Sequence, residues 1–117
     1  MKETILIVDD EDAVRIVSRR FLIAEGYSVI EARTPDEAIA ICARYKEPID
    51  LLLSDIILPE ISGQELFKRI ATLRPKIKVL LMSGYMDDAL LNVDSPFLQK
   101  PFSGEALIRK IRETLDK

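Results

Sequence analysis

Short apolar runs alternate with longer amphipathic segments along the whole chain. Between the runs, apolar residues recur every three or four positions, which is the spacing of one helix face. The runs themselves are almost continuously hydrophobic, as expected of strands that are covered on both faces. This alternation predicts an α/β fold, a doubly wound five-stranded parallel sheet between layers of helices. The predicted strands are Ile5–Val8, Ser28–Ile30, Leu51–Leu53, Val79–Met82 and Phe97–Leu98.

The first helix is predicted from about Ala13 to Glu25. Gly26 supplies its C-terminal stop, because glycine readily adopts the left-handed conformation that ends many helices. An apolar stripe on this helix is expected to face the core. Its residues are Val14, Val17, Phe21 and Ala24.

The other helices have clearer boundaries. Thr34 is predicted as an N-cap, followed by proline at the first helical position and by the acid of a capping box. Another helix follows Ser62-Gly63, and the last begins at Ser103. The stretch from Asp87 to Ser95 is so brief that a short or irregular fourth helix is expected there. The inward residues predicted for the three clear helices are Ala38, Cys42 and Tyr45, then Leu66, Ile70 and Leu73, and finally Leu107, Ile108, Ile111 and Leu115.

Length and composition fit one globular domain over residues 1–117. The chain has 117 residues, of which 48% are hydrophobic and 32% charged, enough for one core but not for two. Its net charge of −3 provides no electrostatic drive toward nucleic acid. No apolar stretch approaches the length that crosses a bilayer. We therefore expect a cytoplasmic chain with no direct contact to nucleic acid or membrane, in which the single cysteine, Cys42, is a small buried hydrophobe.

Polar residues follow four of the predicted strands. The first strand ends in Asp9-Asp10, the third in Asp55, the fourth in Ser83 and the fifth in Lys100. In an open parallel sheet, the loops after the strands converge on one edge. Three carboxylates, a hydroxyl and an ammonium are therefore expected to meet there.

Such a cluster favours phosphoryl chemistry. Crowded carboxylates either raise their pKa values or recruit a cation, and an oxygen-rich acidic cleft suits Mg²⁺. A carboxylate can then act as the nucleophile and form an acyl phosphate. Asp55 is the preferred nucleophile because it follows the central strand. Lys100 would pair with phosphoryl oxygens after transfer, and Ser83 would donate one hydrogen bond to the same group.

Each of these residues also has an ordinary structural explanation. Asp9 and Asp10 could stabilise the N-terminus of the following helix. Asp55 and Ser83 could be turn residues, and Lys100 could be a solvated surface lysine. Their joint placement, each at the end of a predicted strand, favours a site over these separate explanations.

The motifs resemble those of receiver domains in bacterial response regulators and hybrid histidine kinases. The resemblance covers nearly the whole chain and implies the chemotaxis-regulator-like, flavodoxin-like strand order 2-1-3-4-5. The sequences around Ser83 and Lys100 look most like those of hybrid kinases. The segments that carry the resemblance are Val8-Asp9-Asp10-Glu11, Asp55 with Pro59 and Gly63, Met82-Ser83-Gly84-Tyr85, and Lys100-Pro101-Phe102.

The resemblance implies roles for individual residues. Asp55 would be the phosphorylated residue and one ligand of Mg²⁺. Asp10 would be a direct Mg²⁺ ligand, and Asp9 would act mostly through a coordinated water. The backbone carbonyl of Ile57 would complete the protein's share of the coordination.

Ser83 and Phe97 would form the switch. On phosphorylation Ser83 would move toward the phosphoryl group and Phe97 would turn inward, which shifts the population between two packings of the surface around the fourth helix. Phe97 lacks the hydroxyl of tyrosine, so the switch would work through packing alone. The interval from Ser83 to Lys100 is several residues shorter than the family pattern, and an altered output surface is expected. A cis peptide bond between Lys100 and Pro101 is also implied.

The predicted function is that of a regulatory phosphoacceptor, which catalyses only its own phosphorylation and dephosphorylation. The chain has no histidine, so a sensor histidine kinase or a histidine phosphotransfer protein would supply the phosphoryl group, and a downstream protein target would respond. A monomer or a weak dimer is expected.

Two alternative functions are weaker. A phosphatase or phosphotransferase of the haloacid-dehalogenase kind usually has its nucleophile after the first strand in an Asp-x-Asp pattern, whereas here the acid pair Asp9-Asp10 is adjacent and no cap domain fits. An interaction module that works without phosphorylation is disfavoured by the complete set of Asp10, Asp55, Ser83 and Lys100.

Overall fold

A computed structural model of the chain describes residues 2–84 and 95–117. The predicted fourth helix, between the last two strands, lies outside these residues, as does Tyr85. Among the described helices, none has the length and apolar character needed to span a bilayer. The strands are β1 (Thr4–Val8), β2 (Ser28–Ala32), β3 (Leu51–Asp55), β4 (Lys78–Ser83) and β5 (Phe97–Gln99), and the helices are α1 (Asp12–Ala24), α2 (Pro35–Arg44), α3 (Gly63–Leu73) and α4 (Gly104–Leu115).

The five strands form one parallel sheet in the order β2-β1-β3-β4-β5. This confirms the predicted α/β architecture and strand order. The central strand β3 is buried along its whole length, whereas β2 and β5 at the two edges are partly exposed. The strands that read as continuous apolar runs are therefore those with neighbours on both sides and helices on both faces.

Alternate residues of each strand pack into two separate cores, because successive side chains point to opposite faces of a sheet. Ile5 and Leu53 pack in the core that contains Leu22 of α1 and Leu107 of α4. The other core contains Leu6 and Leu52 with residues of α2 and α3. Helices therefore cover both faces, and the strand ends are left to the loops.

Local signals set the helix boundaries as predicted. Thr34, Ser62 and Ser103 are N-caps, and the hydroxyl of each accepts a hydrogen bond of 3.1 Å from the main-chain N–H three residues later. At the other end of α1, Gly26 has a φ of 98°, and its N–H donates to the carbonyl of Ile23 at 2.9 Å. This left-handed glycine turns the chain into β2.

The predicted inner face of α1 is largely wrong. Val17 and Phe21 are 47% and 40% exposed, and Ala24 is also exposed. The residues that are buried instead are Arg15, Ser18 and Leu22. The helix is rotated because a charged side chain occupies the buried stripe, where it finds polar partners at the ends of β1 and β2.

Two further inward predictions are wrong at helix ends. Leu73, the last residue of α3, is 47% exposed, and Tyr45, which follows α2, is 37% exposed. Leu73 ends α3 and Tyr45 is the residue after α2, so helical spacing alone overestimates burial at these helix ends.

Candidate functional site

The ends of β1, β3 and β5 bring Asp9, Asp55 and Lys100 together. Lys100 Nζ lies 2.8 Å from Asp9 Oδ2 and 2.9 Å from Asp55 Oδ2. The Asp9 side chain is fully buried, and those of Asp55 and Lys100 are only 12% and 13% exposed. The ammonium therefore bridges two carboxylates that would otherwise repel each other in a poorly solvated place.

Each carboxylate uses its second oxygen to shape its own loop. Asp9 Oδ1 accepts a hydrogen bond of 2.9 Å from the N–H of Glu11. Asp55 Oδ1 accepts one of 3.1 Å from the N–H of Ile57. Both acids are therefore held at two points, by the shared lysine and by the turn that follows the strand.

Lys100 is held in its charged form. Burial alone would lower the pKa of Lys100, but the hydrogen bonds and charges of Asp9 and Asp55 outweigh burial and raise it above its ordinary value. The side chain therefore carries its positive charge at neutral pH.

Ser83 is placed next to Lys100 by the pairing of β4 with β5. The main-chain N–H of Lys100 donates to the carbonyl of Ser83 at 2.8 Å, and Ser83 is 1% exposed. The peptide bond between Lys100 and Pro101 is cis, which confirms that prediction.

The acids at this edge outnumber the cations near them. One carboxylate oxygen from each of Asp9, Glu11 and Asp55 lies within 4.8 Å of the others. Glu11 is 64% exposed and lies 3.9 Å from Lys100 Nζ. Three carboxylates around a single ammonium leave net negative charge, and hard oxygen donors of this kind suit Mg²⁺.

The acidic group differs from the predicted ligand set. Asp10 is exposed and is not a member of the three-acid group, whereas Glu11 is. Glu11 is not among the predicted ligands, although it belongs to the Val8-Asp9-Asp10-Glu11 motif. Its participation depends on the turn that Asp9 Oδ1 closes, which the sequence alone does not reveal.

Of the remaining predicted residues, Ile57 lies beside the three-acid group and Phe97 packs in the core. Ile57 is 57% exposed beside Asp55. Phe97 is partly buried and packs against the core that includes Leu52 and Leu81. Its aromatic ring therefore belongs to the packing of β5 rather than to the polar cluster.

Gly63 permits a close approach behind Asp55. A Cβ added at Gly63 would lie 2.3 Å from the carbonyl oxygen of Asp55, well inside any allowed contact. Only glycine therefore lets α3 begin so near the end of β3. The sequence showed Gly63 as part of a motif, without this reason.

Comparisons with known proteins agree on one family. A sequence model of the family described as the response regulator receiver domain matches residues 5–112. The sensor kinase CckA of Brucella abortus (strain 2308) is 39% identical over 119 residues, which cover 97% of this chain and 13% of the kinase. The response regulator receiver protein CpdR of the same organism is 34% identical over 125 residues, which cover 98% of both. The crystal structure of a CheY-like response regulator receiver domain protein from Methanospirillum hungatei JF-1 is 35% identical with a TM-score of 0.86, covering 99% of this chain and 95% of that one.

Proposed function

This chain belongs to the response regulator receiver domain family, and from that premise we propose that Asp55 accepts a phosphoryl group with the help of Mg²⁺. The observation that best supports this is the setting of the Asp55 carboxylate. It stands at the end of the central strand, 2.9 Å from a protonated lysine and within a group of three acids. A carboxylate that is fixed, nearly buried and flanked by a cation is suited to act as a nucleophile.

The transfer step needs a donor outside this chain, which contains no histidine. A carboxylate oxygen of Asp55 forms a bond to phosphorus while the bond from phosphorus to the donor's histidine nitrogen breaks. The products are an aspartyl phosphate on this chain and a free histidine on the donor. The proposed donor is a sensor histidine kinase or a histidine phosphotransfer protein.

The acidic group fits a magnesium ion. Asp9, Glu11 and Asp55 provide oxygen donors near one another, and Asp10 and the carbonyl of Ile57 join them by resemblance to the family. When bound, Mg²⁺ offsets the negative charge that separates a carboxylate from a phosphoryl group. The protein's own part is to hold Asp9 and Asp55 in place, through Lys100 and the loop N–H donors.

Lys100 and Ser83 are proposed to hold the product. Lys100 Nζ already lies between Asp9 and Asp55, so a small movement brings its protons to the oxygens of a phosphoryl group on Asp55. Ser83 stands on the neighbouring strand, and its hydroxyl would donate to the same group. These new contacts favour one packing of the β4–β5 region over another, with Phe97 as the responding aromatic.

The chain is proposed to act as a regulatory phosphoacceptor and not as an enzyme that turns over a substrate. The acyl phosphate would be its signalling state, read by a downstream protein target. A hydrolase would instead release phosphate from small esters continuously, and turnover of such an ester would revive that alternative.

An apolar surface beside the site suits a protein donor. A hollow next to Lys100 is lined by Ala13, Val14 and Val17 of α1 and by Pro101 and Phe102. Ile16 and Phe21 on the same helix are 48% and 40% exposed. Clustered exposed apolar residues mark contact surfaces, so a protein that carries the phosphohistidine can dock here with the histidine toward Asp55.

The proposal is tested by intact mass after incubation with acetyl phosphate. We expect a gain of one phosphoryl group that requires Mg²⁺ and is absent in Asp55→Asn. Asp50→Asn, at the opposite edge of the sheet, is the matched control and should be labelled like the native chain. No gain in a folded native chain would contradict the proposal and favour an interaction module that works without phosphorylation.

A further inference from the structure

Arg15 is one of three buried charged residues in the part of the chain that the structure describes. The other two are Asp9 and Asp55, both in the site. Arg15 lies on α1 and is 5% exposed, while Ile16 and Val17 beside it are 48% and 47% exposed. Burying a guanidinium costs free energy unless it is fully paired. Because α1 buries an arginine and leaves aliphatic residues exposed, something other than hydrophobic packing determines its orientation.

The Arg15 guanidinium is directed at the main chain of Asp9. Arg15 Nη1 donates to the Asp9 carbonyl at 2.6 Å in a buried hydrogen bond. That carbonyl belongs to the peptide unit that joins Asp9 to Asp10. Holding its oxygen fixes the plane of this peptide and hence the direction in which the chain leaves Asp9.

Every other polar atom of Asp9 is also held. Its N–H donates to the carbonyl of Ala32 at 3.3 Å, Oδ1 accepts from Glu11, and Oδ2 accepts from Lys100. Arg15 therefore completes the set of contacts that fixes Asp9. Without it, the carbonyl would be the one Asp9 polar group with no partner in this set.

The charge of Arg15 is neutralised away from the site. Its Nη2 donates to Asp12, and its Nε lies 3.6 Å from Glu31 on β2. Two acids around this guanidinium cancel much of its field at the acidic group. Its effect on that group is therefore exerted through geometry, by the forked arrangement of its N–H donors.

We propose that Arg15 is a positioning residue for the acidic group, which fixes the Asp9–Asp10 peptide so that the carboxylates are arranged to receive Mg²⁺. This rests on the proposed function. Contacts that orient metal ligands typically change metal affinity by about 10- to 100-fold when they are removed. Lysine keeps the charge but loses the fork, so Arg15→Lys separates a geometric role from an electrostatic one.

The test is the Mg²⁺ dissociation constant of the unphosphorylated chain, measured by calorimetric titration, alongside its urea unfolding without Mg²⁺. Arg15→Lys should bind Mg²⁺ about tenfold more weakly or worse. Arg74→Lys is the matched control, because Arg74 also donates to main-chain carbonyls, those of Cys42, Tyr45 and Glu47, but far from the site. It should lose stability and keep native Mg²⁺ affinity.

The positioning role would be overturned if Arg15→Lys bound Mg²⁺ as tightly as the native chain, or if Arg74→Lys lost as much Mg²⁺ affinity as Arg15→Lys. In either case, Mg²⁺ binding by the native chain would leave the proposed function intact. A native chain that neither binds Mg²⁺ nor becomes phosphorylated would overturn both. If Arg15→Lys does not fold, NMR of the native chain tests the positioning role instead. A scalar coupling between the Arg15 side-chain nitrogen and the Asp9 carbonyl carbon should persist when Mg²⁺ is added, and its absence would refute the role.

Discussion

The side of the sheet where the strands begin, the starting edge, and the side where they end, the ending edge, use the same kinds of charged residue in different ways. At the edge where the strands begin, Arg112 pairs with Glu3 at 2.8 Å and with Asp116 at 2.9 Å, and these side chains are between 31% and 63% exposed. At the edge where the strands end, one lysine faces Asp9, Asp55 and Glu11, and the first two are nearly or fully buried. Water can compensate any imbalance at the first edge, whereas at the second edge two of the three carboxylates that face the lysine are shielded from water.

This difference separates stability from function. Exposed pairs of opposite charge contribute little to stability and leave no charge to be satisfied. Crowded carboxylates that are poorly solvated, by contrast, are relieved by a cation or by protonation. We therefore expect substitutions at the starting edge to affect folding alone, and those at the ending edge to affect Mg²⁺ binding and phosphorylation.

The largest effect in this comparison is expected from Lys100→Met, which removes the ammonium that pairs with Asp9 and Asp55 and changes the side-chain length little. Phosphorylation by acetyl phosphate should slow by about a hundredfold, the usual loss when one fixed donor to a developing charge is deleted. Mg²⁺ affinity should rise, because the acids lose a competing positive charge. Rate and affinity are measured on the same samples by mass and by calorimetric titration.

Lys78→Met is the control for that experiment. Lys78 Nζ donates to the carbonyls of Leu115 and Lys117 at the other edge, so the variant should change unfolding in urea and leave phosphorylation and Mg²⁺ affinity as in the native chain. A parallel fall of rate and affinity in Lys100→Met would show that the lysine only supports the fold.

A smaller effect is expected from Gly63→Ala. The added Cβ would lie 2.3 Å from the Asp55 carbonyl oxygen, so α3 or the end of β3 must shift. Overpacking of this kind costs about 1–3 kcal/mol of stability, and phosphorylation should slow because Asp55 moves. Urea unfolding and the rate of label incorporation measure the two effects.

Gly84→Ala provides the comparison for Gly63→Ala. A Cβ at Gly84 would meet no atom of the described residues within 4 Å, so its stability should stay close to native. Equal stabilities of the two alanine variants would contradict the close approach at Gly63.

The smallest effect is expected from Glu3→Gln at the starting edge. The hydrogen bond from Arg112 holds the pKa of Glu3 below its ordinary 4.5, against the opposing effect of burial. Because the folded-state pKa is the lower one, the stabilisation from Glu3 is present above pH 4.5 and is lost as the pH falls through that lowered value. The difference in the free energy of unfolding between the native chain and Glu3→Gln should therefore shrink in acid. Phosphorylation of the variant at neutral pH should equal that of the native chain. A difference that grows in acid would contradict this pairing.

Much of this arrangement is predictable from the sequence because the signals are local. The capping residues Thr34, Ser62 and Ser103 and the left-handed Gly26 fix helix ends within a few positions of themselves. Asp55 and Lys100 could be assigned to one edge because each stands two positions after the last residue of an apolar run, and parallel strands deliver their ends to the same place.

The missed features depend on contacts between distant parts of the chain. Hydrophobic spacing predicted Val17 and Phe21 in the core because it contains no information about the pairing of Arg15 with the Asp9 carbonyl and Glu31. Glu11 joins the acidic group only after the Asp9 carboxylate closes its turn. The reason for Gly63 is the distance to Asp55, which appears only when α3 lies against β3.

The most direct test is to locate the phosphoryl group in the native chain. After incubation with acetyl phosphate and Mg²⁺, borohydride reduces an aspartyl phosphate to homoserine, and peptide mapping identifies the converted residue. Homoserine at position 55 alone, dependent on Mg²⁺, is the result expected if the ending edge is a phosphoacceptor site. Conversion at Asp9 or Asp10 instead, or a folded chain with no conversion, would contradict it.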